Sequence, residues 1–115
     1  MRVAYLTTDE VNQEVAKHYA KKVQTNLALV SLQDAPLNGE VDGVIYDLDY
    51  LPPARREAIL TQLLAGPSAL PVAVHSYNLG PEEIKALRRN GVGVFRRLEL
   101  RLFETFLCAL LRARA

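Results

Sequence analysis

The chain has 115 residues, half of them hydrophobic and 23% charged, with a formal net charge of +1. That is the size of one domain, expected to span residues 1–115, and it can bury roughly two-thirds of its unfolded surface. No global field draws such a chain to nucleic acid, and no apolar run approaches the roughly 18 residues of a membrane span, so neither is an expected partner. The opening MRVAYLTTDE turns polar too soon for a secretory signal. A lone cysteine, Cys108, excludes an internal disulfide and is expected as a small core residue. A cytoplasmic location is the expectation that follows.

Residues 3–6, VAYL, read as a buried strand. Thr8 or Asp9 then caps a helix with Val11, Val15, Ala16 and Tyr19 at helical spacing. LALVSL, 27–32, is a second strand, and 33–42 is a loop broken by Pro36 and Asn38-Gly39. VDGVIYD is a third strand, stopped by Pro52-Pro53, which suit the first turn of a helix ending at Gly66. LPVAVHS is a fourth strand. GPEEIKALRRNG is a short helix with Pro81 at its start, acids in its first turn and Gly91 at its end. VGVFRR is a fifth strand, and from Leu98 onward the chain is helical.

Strands alternating with helices predict βαβ units, a parallel sheet and right-handed crossovers that cover both faces. Ligands of such sheets bind at the carboxyl ends of the strands. Thr7, Asp47, Ser76 and Arg96 or Arg97 fall there. Two carboxylates two residues apart at a strand end, Asp47 and Asp49, raise the question of phosphoryl transfer. The string VIYDLDYL resembles the first motif of haloacid-dehalogenase-type phosphatases, in which the first Asp is the nucleophile, the second a general acid/base, and Mg²⁺ joins them. That family carries the motif on its first strand and needs a lysine and a later acidic pair. Here the motif is on the third strand, and the only adjacent acids after Asp49 are Glu82-Glu83.

A second resemblance covers the whole chain. LTTDEVNQEV, DGVIYDLDYLP, LPVAVHSYN and NGVGVFRRL are similar, in order, to the segments of response-regulator receiver domains. The resemblance implies a doubly wound, flavodoxin-like α/β fold with a five-stranded parallel sheet of order 2-1-3-4-5. The loop 33–42 leaves the second helix shortened or absent. It also implies a phospho-acceptor at Asp47, a phosphoryl-binding hydroxyl at Ser76 and a switch aromatic at Phe95.

The departures from that pattern bear on function. The family's two Mg²⁺-binding acids fall on Thr7 and Thr8, and hydroxyls carry no negative charge for a hard cation. The family's lysine falls on Leu98, which cannot pair with phosphoryl oxygens. Phosphoryl transfer is largely charge stabilisation and positioning. The sequence therefore reads as a degenerate receiver, a pseudo-receiver, with no enzymatic activity, cofactor or metal expected. The alternatives are a working receiver, phosphorylated on Asp47 by a histidine kinase, and the phosphatase. An ion pair of Asp47 with Arg96 or Arg97 could hold a permanent switched state. Asp49 reads as a loop acid, His18 as a surface residue and His75 as a buried, satisfied histidine.

In the last helix Phe103, Phe106, Leu107, Leu110 and Leu111 form a stripe against the sheet, and Leu100, Leu102 and Cys108 widen it. An apolar surface wider than the core stripe suggests a second buried face. In receivers the fourth helix, fifth strand and fifth helix form the usual partner surface. The expected counterpart here comprises Arg88, Arg96, Arg97, Leu100 and Leu102. It would take a protein partner of a signalling pathway, with homodimerisation through the last helix.

Overall fold

A computed structural model describes residues 1–23, 28–31 and 41–114. The elements alternate: β1 (Arg2–Leu6), α1 (Glu10–Val23), β2 (Ala28–Ser31), β3 (Gly43–Asp47), α2 (Pro53–Ala65), β4 (Val72–His75), α3 (Pro81–Arg89), β5 (Gly93–Phe95) and α4 (Leu100–Arg114). A 3-10 turn, Leu48–Tyr50, follows β3. The expected shortening or loss of a helix in the loop 33–42 falls mainly on residues 32–40, outside the described residues.

Five strands form one sheet in the order β2-β1-β3-β4-β5. Every neighbouring pair is parallel. Side chains alternate along each strand, so a parallel sheet with helices on both sides buries both faces. Ala4, Leu6, Val44, Val72 and Val74 point to one face, where Ile59, Leu60 and Leu63 of α2 and Leu87 of α3 cover them. Val3, Tyr5, Ile45 and Ala73 point to the other, against Ala16 and Ala20 of α1 and Leu102, Phe103, Phe106 and Leu110 of α4.

Helix ends are set by local chemistry. The Asp9 carboxylate accepts from the Asn12 amide at 2.9 Å and so caps α1. Pro53 starts α2. At the end of α3, Gly91 takes φ +84°. Its amide donates to the Arg88 carbonyl and that of Val92 to the Leu87 carbonyl, both at 3.0 Å. This is a Schellman closure, with Val92 and Leu87 in the same core cluster. Gly43 starts β3 because α4 leaves no room: a Cβ there would lie 2.6 Å from Phe106 Cζ and 2.8 Å from Leu110 Cδ2.

Several expectations are corrected. β5 stops at Phe95 and α4 starts at Leu100, so Arg96, Arg97 and Leu98 lie in the connection. The buried stripe of α4 is Leu102, Phe103, Phe106 and Leu110, while Leu111 is exposed. Leu102 is therefore core and unavailable as partner surface; Leu100 is half-buried. Cys108 is exposed. Val11 of α1 is exposed too, because Ala16 and Ala20 define the buried line of that helix. In each case helical spacing gave a set of compatible faces, and packing on the sheet chose one. Among the described residues no helix is long and apolar enough to cross a membrane.

Candidate functional site at the carboxyl ends of the strands

The register fixes the site. Asp47 pairs with His75, and His75 with Phe95. Leu6 pairs with Tyr46, which brings Thr7 level with Asp47. Asp47 is only 1% exposed and Thr7 fully buried. A carboxylate so placed needs donors. Oδ2 has two: the Thr7 hydroxyl at 2.7 Å and the Asn12 side-chain amide at 2.8 Å. Thr7 in turn accepts from the Asp9 amide at 3.1 Å, so the strand end, the cap of α1 and the acid form one network.

On the other side, His75 Nδ1 lies 3.7 Å from Asp47 Oδ1. Its Nε2 meets the Tyr5 hydroxyl at 2.8 Å, and the two rings stack at 5.8 Å. Burial pushes the His75 pKa down, against the upward pull of Asp47 and Asp49. Burial and then the Asp47 and Asp9 charges push the Tyr5 phenol far above its ordinary range. The lowered pKa favours the neutral imidazole; the tautomer with its proton on Nδ1 would turn that proton toward the carboxylate and leave Nε2 to accept from the phenol.

Asp49 shares the cleft with Asp47 and His75 but makes a separate set of hydrogen bonds. Its Oδ1 accepts from the Ser76 hydroxyl at 2.5 Å and the Asn78 amide at 3.1 Å, and its Oδ2 accepts from the Tyr77 backbone N–H at 2.8 Å. Burial pushes its pKa up, but these donors, with Arg56 nearby, outweigh it and hold the carboxyl below its ordinary value. The loop acid of the sequence reading thus organises the turn after β4.

The expected site residues separate accordingly. Thr7 reaches Asp47. Thr8 is exposed and its hydroxyl donates to the Tyr50 carbonyl instead. Ser76 is buried at the right strand end, yet its hydroxyl goes to Asp49 rather than toward Asp47. The expected ion pair of Asp47 with Arg96 or Arg97 is not formed: Arg97 Nε pairs with Glu99 at 3.3 Å, its near neighbour in sequence. Phe95 is half-buried against the α1/α4 side of the core, as is Leu98. Leu98 also lines a cleft of about 550 Å³ with Asn12, Asp47, Asp49, Tyr50, His75, Tyr77 and Arg97.

Tyr5, Asn12, Tyr77 and Asn78 were missed as site residues. Tyr5 had a signal: a phenol in an otherwise apolar strand needs a partner once buried. Asn12 had another, since it lies in the first turn of a helix whose cap abuts the strand ends.

The donor set does not suit Mg²⁺. Such an ion wants near-octahedral oxygen ligands that include carboxylates. Here Asp9 caps α1, Asp47 Oδ2 is taken by two donors, and Asp49 holds the turn after β4. Among the described residues no group of three or more His, Cys, Asp or Glu side chains could hold a metal ion.

No protein-family model matches the chain, and no curated protein is significantly similar to it in sequence. Solved structures do resemble it. The ChxR receiver domain of Chlamydia trachomatis superimposes with a TM-score of 0.62 at 14% identity, covering 96% of this chain and 97% of that one. A signal receiver domain of a two-component histidine kinase from Clostridium thermocellum gives 0.67 at 12% identity, over 96% and 97%. A response regulator receiver domain from Rhodospirillum rubrum gives 0.63 at 16%, over 100% and 95%. At these identities the shared property is the architecture: the chain has the fold of response-regulator receiver domains.

Proposed function

We propose that residues 1–115 form a single pseudo-receiver domain of a signalling system, acting by protein–protein interaction without Mg²⁺-dependent phosphorylation of Asp47. The observation that carries this reading is the holding of Asp47 Oδ2 by neighbouring side chains. Its Oδ2 is occupied by Thr7 and Asn12, at the place where a working acceptor needs a metal ion and open solvent. The side chains around it point the same way. Leucine stands at the lysine position, threonines stand at the metal-binding positions, and Ser76 is committed to Asp49. In this reading the module is not an enzyme. It docks on a partner through α3, β5 and the start of α4, where Arg88, Arg96 and Arg97 are exposed beside the half-buried Leu100. Self-association would use the exposed side of α4, around Leu111 and Cys108.

The test is an NMR titration with Mg²⁺ followed by beryllofluoride, a phosphoryl mimic, following the amides of Thr7, Asp47 and Ser76. The expected result is no saturable shift at millimolar concentration in a protein that stays folded. Saturable shifts that disappear in Asp47→Asn would replace the proposal with a working phosphorylation switch.

A further inference from the structure

Beside the Asp47 cleft lies a second groove, of about 590 Å³, lined by Tyr77, Arg88, Val94, Phe95, Arg96, Arg97, Glu99 and Arg101. Four arginines face one carboxylate there, an excess of three positive charges in a chain whose formal net charge is +1. The rest of the chain is therefore net negative, and the groove carries a local net positive charge. Only part of it is spent on structure. Arg97 pairs with Glu99, and Arg88 donates to the Val94 carbonyl at 3.3 Å. Arg96 and Arg101 are exposed and have no ion-pair partner among the described residues. Arg101 stands in the first turn of α4, where a cation opposes the helix dipole, so helix stability does not account for it.

The groove and the Asp47 cleft share Tyr77 and Arg97 and are thus continuous. At the cleft end two tyrosines are unusually bare: Tyr50 is 50% and Tyr77 65% exposed. The surface thus combines two exposed tyrosines, Tyr77 at the junction and Tyr50 on the cleft side, with a guanidinium cluster on the other side. Guanidinium forks match phosphate oxygens in geometry and charge, and aromatic faces stack on planar rings. An acidic peptide would use the arginines and leave the tyrosines idle. We propose that this continuous surface binds a nucleotide, with a planar base at Tyr50 and Tyr77 and a polyphosphate on Arg96, Arg97 and Arg101. The polyphosphate end needs no metal; the base end shares its cleft with Asp47 and Asp49, whose carboxylates favour keeping the phosphates at the arginine end. Arg96 and Arg97 also belong to the proposed partner surface, so a nucleotide there would compete with the partner.

The test is a metal-free NMR titration with ATP, ADP, AMP and adenosine, with tripolyphosphate and a hexaglutamate peptide as controls. ATP is expected to shift the amides of Tyr77, Phe95, Arg97 and Arg101, with affinity falling as phosphates are removed. Arg96→Ala/Arg101→Ala should weaken ATP binding at least about tenfold, and Tyr77→Ala about fivefold, with the remaining spectrum unchanged. No shift at roughly 5 mM ATP overturns the proposal, as does equal binding by the arginine variant. Tripolyphosphate binding as tightly as ATP, with Tyr77→Ala silent, removes the base from it. Shifts of the same amides by hexaglutamate and not by ATP would make the groove a dock for an acidic protein segment instead.

Discussion

Thr7→Val tests the holding of Asp47 Oδ2 most directly. The substitution keeps the shape of a fully buried side chain and removes only its hydroxyl. Two hydrogen bonds go with it, the 2.7 Å bond to Asp47 Oδ2 and the 3.1 Å bond from the Asp9 amide. A hydrogen bond to a charged group contributes about 1.5–3 kcal/mol, and a donor left without its acceptor costs about 1 kcal/mol more. Burying a methyl group in place of the hydroxyl returns about 0.8 kcal/mol. The expected loss is about 2 kcal/mol. Unfolding entropy is about 2.1 cal/mol/K per residue, so for 115 residues this lowers Tm by about 8 °C. Urea unfolding and calorimetry measure both quantities. Thr8→Val is the control, since its exposed hydroxyl meets only the Tyr50 carbonyl, and it should cost less than about 0.5 kcal/mol. A double-mutant cycle of Thr7→Val with Asp47→Ala should give a coupling of at least about 1 kcal/mol. A Thr7→Val protein as stable as the wild type, or one no less stable than Thr8→Val, would refute the account of Asp47 as an internally held acid.

Two further outcomes follow from the same geometry. The His75 pKa is lowered in the fold from its ordinary 6.5, so the unfolded chain binds the proton more readily. The contribution of the neutral ring is present in full above pH 6.5 and is lost as pH falls through the lower folded value; His75→Gln should flatten that limb of a Tm-against-pH curve, and a ring that titrates above 6.5 by NMR would contradict it. Gly43→Ala should destabilise by about 1–3 kcal/mol in urea melts, because the new methyl meets Phe106 and Leu110. Combining it with Phe106→Leu should cost less than the two changes added together.

Much of the architecture is legible in the sequence. Apolar runs of strand length alternating with capped amphipathic stretches leave a parallel sheet as the economical arrangement, and such sheets gather residues at their carboxyl ends. Thr7, Asp47 and Ser76 are expected at that end on this basis; Thr7 hydrogen-bonds Asp47 there, while Ser76, just after β4, turns to Asp49. What the residues do with one another was not readable. Ser76 turns to Asp49, Arg97 to Glu99, and Tyr5 meets His75 seventy positions along the chain. Each pairing depends on strand register and on rotamers set by neighbours from other elements, and no local pattern encodes these. The buried face of α4 was undetermined for a similar reason. Its leucines and phenylalanines suit more than one stripe, and only docking against Gly43 and the strands beside it selects Leu102, Phe103, Phe106 and Leu110. Sequence periodicity fixes which elements form, because it acts over one or two turns. Close packing fixes which side chains meet, because it acts between segments far apart in the chain.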